Sequence, residues 1–166
     1  MLFGKIGYVQ KRSIMIGIKE KAEVYKLGLL IGYFSLEEFL RWIDETIEKE
    51  ESPDIGLVEI AFSSSKDIKD IISLIGEISG SNNLKTPVRI LLGLMYKDFL
   101  NKKISLNGIT CKLYLLSLHL TEENIDEKII YEFNTMEDYH FIYTNEQIRH
   151  KLDDLLNQYL NDDIFL

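Results

Sequence analysis

Proline is almost missing from this sequence and glycine is scarce, with two prolines and ten glycines in 166 residues. A chain of many short strands needs such breakers at every turn, so helices are favoured. Cysteine is rarer still. The single Cys111 has no partner for an internal disulfide, and no CxxC or histidine spacing marks a zinc site, which suits a reducing compartment. No run of about eighteen apolar residues occurs, so no membrane span is expected. The N-terminal MLFGKIGYVQKRSIMIGIKEK lacks the apolar run and small-residue cleavage site of a signal peptide, and the expected location is cytoplasmic.

The common catalytic signatures are missing as well. There is no phosphate loop, dinucleotide fingerprint, HExxH, GxSxG or calcium loop, and no cofactor is expected. His119, His140 and His150 stand far apart without ligand spacing, so none is expected to hold a metal.

What is present describes a soluble globular domain: 46% hydrophobic and 28% charged residues, a balance that argues against disorder. The length fits one domain, residues 1–166. Charge is distributed unevenly. Up to Leu120 there are 16 Lys/Arg and 15 Asp/Glu; from Thr121 onward there are 3 against 12, a net of −9. Such a field repels nucleic acid and attracts a basic protein partner, although solubility alone would also account for it.

Helix starts are legible from residues whose side chains accept a hydrogen bond from first-turn amides. Ser35 and Glu38 form a capping box, followed by the stripe Leu36, Phe39, Leu40, Ile43 and Ile47, which predicts a helix over about 35–50. Ser52-Pro53 predicts another over about 53–63, where a buried strand is the alternative. Ser65 opens a third, with Ile68, Ile71, Ile72, Ile75 and Ile78 in register until Ser79-Gly80. Thr86-Pro87 and Ser105 predict helices to about Lys102 and Leu120. Thr121 and Thr135 look like caps of two shorter pieces, and Thr144 with Gln147 is a second capping box for a helix to about Leu160. Ile14 to Leu30 reads as a helix, whereas residues 1–12 fit either a short strand or an extended arm. The fold class is therefore all-α: a single-domain antiparallel helical bundle or short helical stack. A faint internal echo, YKLGLLIGYFSL against YKDFLNKKISL, hints at two related helical pairs.

Glu59 is the unusual carboxylate. Ile55, Val58 and Phe62 share its side of the 53–63 helix while Leu57, Ile60 and Ala61 cover the others, so the helix is apolar almost all round and is expected to be internal. A buried Glu59 needs donors, for which Trp42, a helix N-terminus, Arg41 or Arg89 are candidates. Trp42, Asp44 and Glu59 are thus expected to form a polar anchor between two consecutive helices. Near the C-terminus, Tyr131, Phe133, Tyr139, Phe141 and Tyr143 lie among acidic residues. Glu132, Glu137, Asp138, Tyr139 and Tyr143 are the candidate partner-binding residues, because aromatic anchors with acidic neighbours suit a basic surface. The alternative is that these aromatics belong to the core.

The segments YKLGLL, RWID, SPD and VEIAFSSSKDIKDIISLIGEI, continuing through PVRILLGLMYKDFLNKKISLNGITCKLYLLSL and EDYHFIYTNEQIRHKLDDLL, resemble a group of small all-helical Firmicutes proteins of unassigned function, some regarded as immunity proteins to polymorphic toxins. The resemblance covers most of the chain from about residue 24. Its recurrent positions correspond to Trp42, Asp44, Pro53 and Glu59, with Ile43 a departure from the small residue anticipated before the aspartate. It implies a non-enzymatic protein-binding module that neutralises a toxin, and the acidic, aromatic C-terminal surface adds the expectation that the toxin is basic. Two other functions stay open: an enzyme with a carboxylate cleft of Glu59, Asp44 and His119, and an oligomeric scaffold marked by an exposed apolar patch.

Overall fold

The computed structural model describes residues 16–63 and 67–160, and these are all-α. In chain order the helices are α1 (Ile18–Leu30), α2 (Leu36–Lys49), α3 (Ile55–Ala61), α4 (Ile68–Glu77), α5 (Lys85–Leu100), α6 (Leu106–Ser117), α7 (Glu127–Asn134), α8 (Tyr139–Ile142) and α9 (Asn145–Leu156), followed by a 3-10 turn, Asn157–Tyr159. The possible strand at residues 1–12 and the cap at Ser65 lie outside the described residues.

Three of the expected caps are made as the sequence implies. The hydroxyls of Ser35, Ser105 and Thr144 accept from the amides of Glu38, Gly108 and Gln147, and both capping boxes are complete. Others are replaced by a stronger acceptor nearby. Asp54, not Ser52, caps α3 by accepting from Gly56 N at 2.8 Å, which leaves Pro53 outside the helix. Asp126 caps α7, whereas Thr121 closes a turn with Asn124. α5 begins at Lys85, two residues before its proline, after Asn83 accepts from the Lys85 amide. Thr135 ends α7 rather than starting α8.

The core lies in two clusters that share α1. Val24, Leu27 and Ile31 join the apolar sides of α5, α6, α7 and α9, while Ala22, Tyr25 and Leu29 join α2, α3 and α4. α1 packs principally on α5, and both helices are buried on most sides. Within the second cluster Trp42 stacks on Tyr25 and Phe39, with ring centroids 5.0 and 5.9 Å apart, geometry that adds to the burial of the rings.

The faint sequence echo is a structural recurrence. At the end of α1, Gly32 adopts φ +63°, Gly32 N donates to Leu29 O, and Tyr33 N and Phe34 N both donate to Gly28 O. At the end of α5, Lys102 adopts φ +60°, Lys102 N donates to Phe99 O, and Lys103 N and Ile104 N both donate to Asp98 O. Ser35 and Ser105 then cap the following helices. The same left-handed turn is thus built once with glycine and once with lysine.

The buried carboxylate is Glu23, not Glu59. Lys19 and Glu23 are only 3% and 2% exposed, with Lys19 Nζ 3.1 Å from Glu23 Oε1 and Lys26 Nζ 3.1 Å from Glu23 Oε2. Lys19 Nζ also donates to Ile75 O at 2.7 Å and Gly76 O at 3.3 Å, capping the C-terminal end of α4 with positive charge. Gly80, at φ +143°, makes room: a Cβ there would lie 2.5 Å from the Lys19 Cβ.

Candidate functional site

α7, α8 and α9 carry the acidic, aromatic surface. The spacing of Phe133, Met136 and Tyr139, three residues apart, turns all three inward. Tyr139 is 7% exposed and its hydroxyl donates to Glu132, itself half-buried. Tyr143, also half-buried, meets the Tyr139 ring edge-on at 5.1 Å. Lys151 of α9 sits over both rings, 5.0 and 4.9 Å from their centroids. Tyr139 and Tyr143 therefore fasten α8 to α9, and Tyr139 is not an exposed contact residue as the sequence had suggested.

The residues off that stripe project into solvent. Phe141 is 90% exposed, and Ile142 and Tyr131 are each 67% exposed. The sequence places Tyr131 and Phe141 in the aromatic segment without ranking them above Tyr139 and Tyr143, and gives no sign of Ile142, because an exposed apolar residue and a buried one look alike without the stripe. Their neighbours are held. His140 Nε2 lies 2.8 Å from Thr110 Oγ1, an oxygen that is also 3.1 Å from the carbonyls of Leu106 and Asn107. Glu137 and Asp138 are exposed. Burial and the Glu137 carboxylate alongside push the Cys111 thiol up, the reverse of what a reactive thiolate requires.

No carboxylate of this surface is joined in an ion pair among the described residues. Among the described residues, every ion pair lies between Lys19 and Lys103. Arg149 and Lys151 face aromatic rings instead of carboxylates, with Arg149 5.2 Å from the Phe99 centroid. A shallow depression in the same region has Leu120 and Ile130 beneath Glu122, Glu123 and Glu127.

The expected anchor of Trp42, Asp44 and Glu59 is not assembled. Trp42 is buried among aromatic rings, but Asp44 and Glu59 are exposed, and no hydrogen bond or ion pair joins the three among the described residues. Glu59 lines a groove with Ile55, Val58 and Phe62, Asp44 a separate depression on α2, and exposed His119 borders neither. Among the described residues, Glu59, Asp44 and His119 therefore do not line one groove together. Nor do three His, Cys, Asp or Glu side chains converge on a metal position among the described residues. No helix of the described residues is long and apolar enough to cross a membrane. No protein-family model, curated protein or solved structure matches the chain.

Proposed function

We propose that the protein is a binding module, not a catalyst, and that the α7–α9 surface captures a basic protein, as an immunity protein captures a toxin in the cytoplasm. The observation that carries this is the orientation of Arg149 and Lys151. Both turn to aromatic faces, so neither forms an ion pair with a carboxylate of α7–α9. Glu137 and Asp138, exposed beside Phe141 and Ile142, combine steering charge with apolar anchors. Charge of this kind raises the association rate, and desolvated aromatic contacts slow dissociation.

The test is affinity capture from the native host, followed by association kinetics at two salt concentrations. A basic partner should associate more slowly as salt rises and more slowly with the Glu137→Lys/Asp138→Lys variant. A partner that binds wild type and variant alike, with no salt dependence, removes this surface.

A further inference from the structure

α3 has two apolar faces, and only one is covered. Leu57 and Ile60 are fully buried in the second cluster. The opposite face carries Ile55, Val58, Glu59 and Phe62, spaced i, i+3, i+4, i+7, which is the ridge one helix offers another. Ile55 is 76% and Phe62 86% exposed, and with Leu74 of α4 this face lines an open groove of about 560 Å³. Apolar residues patterned as a helix contact yet left in solvent mark a surface that is covered in a complex.

Charge selects the occupant. Glu59 sits in the middle of the ridge with no basic side chain paired to it among the described residues, and α3 itself contains no lysine or arginine. Two copies of α3 meeting across a two-fold axis would set Glu59 near Glu59, a like-charge contact that destabilises. Residues 35–63 hold nine acidic and two basic residues, which repels nucleic acid and anionic lipid. An apolar stripe carrying a cation satisfies both features of the groove.

We propose that the outer face of α3 docks an amphipathic helix of a partner protein, with a lysine or arginine of that helix opposite Glu59. This surface is separate from the α7–α9 surface. The probe is a labelled helical peptide of about eighteen residues, leucine along one face with a single lysine in the middle of that face and neutral polar residues elsewhere, compared by fluorescence anisotropy with a counterpart bearing glutamate for that lysine. The full chain should bind the lysine peptide at least about tenfold more tightly than the glutamate peptide, and Phe62→Ser should weaken that binding about tenfold. Glu59→Lys should shift preference toward the glutamate peptide. Both substitutions are on exposed side chains, and circular dichroism checks that each variant is folded.

Equal binding of the two peptides, or binding unaffected by Phe62→Ser and Glu59→Lys, overturns the proposal. Loss of binding only with Glu137→Lys/Asp138→Lys also overturns it, because the peptide then occupies α7–α9, and the proposed function stands. A dimer, or adsorption to phosphatidylcholine vesicles, that Phe62→Ser abolishes would assign the face to a second copy or to lipid instead.

Discussion

The Tyr33 hydroxyl donates to Asp98 Oδ2 at 2.9 Å, joining the two recurrent turns of the molecule to each other. Asp98 Oδ1 is meanwhile 3.0 Å from Lys103 Nζ. One carboxylate therefore connects the end of α1 to the end of α5, the two helices at the centre of the fold. Tyr33→Phe removes the donor but keeps the ring, and should cost about 1–2 kcal/mol, measured by urea denaturation.

Lys102 occupies the left-handed position that Gly32 fills in the equivalent turn. A side chain there costs about 1–2 kcal/mol, part of which glycine loses again as unfolded-state entropy. Lys102→Gly should raise stability by about 0.5–1 kcal/mol, and Gly32→Ala should lower it, both visible as opposite changes in Tm.

Lys19→Met leaves Glu23 and two α4 carbonyls without their buried cation. Breaking a buried pair on one side costs about 3–5 kcal/mol where the charge is left uncompensated; Lys26 still reaches Glu23, so urea denaturation should show a loss near the lower end, about 3 kcal/mol. Glu59→Gln, by contrast, alters an exposed side chain and should change stability by less than about 0.5 kcal/mol.

Tyr139 and Phe141 are neighbours with opposite roles. Tyr139→Ala opens a cavity in the α7–α9 contact and should destabilise by about 3 kcal/mol. Phe141→Ala should leave the Tm nearly unchanged but, on the proposed function, speed dissociation of a basic partner, which surface plasmon resonance would show.

Alkaline pH tests the buried phenols together. Burial, and then donation to Glu132, pushes Tyr139 up to about 12 from the ordinary 10.0. Burial and Asp98 likewise hold Tyr33 well above its usual range. The native state keeps these protons after the unfolded chain has released them, so their contribution is full below pH 10 and falls as pH rises from there through about 12. Helical ellipticity and absorbance at 295 nm should change together across that window, and Tyr139→Phe should lessen the loss.

Helices, their order and three of their caps were legible because capping and the three-to-four-residue period involve groups within a turn or two of each other. Ser35 reaches Glu38 whatever surrounds them. Even the recurrent turn left its trace in YKLGLLIGYFSL and YKDFLNKKISL, since φ near +60° is a local matter.

Which face of a helix turns inward was decided elsewhere. α3 is apolar on nearly every side, so its own residues do not rank Leu57 above Ile55; the positions of α2 and α4 do, and they leave Glu59 in solvent. Lys19 and Glu23 have the i, i+4 spacing of an ordinary surface pair, and only the arrival of α4 and Gly80 over them makes them buried. Tyr139 and Phe141, two residues apart, became anchor and exposed tip according to where α9 placed Lys151. The sequence by itself determined that the chain is helical and that its last third is acidic, because backbone hydrogen bonding is local and formal charge is additive. Burial is set by partners distant along the chain, and for that reason the exposure of Phe141 and the burial of Tyr139 emerged only from the tertiary structure.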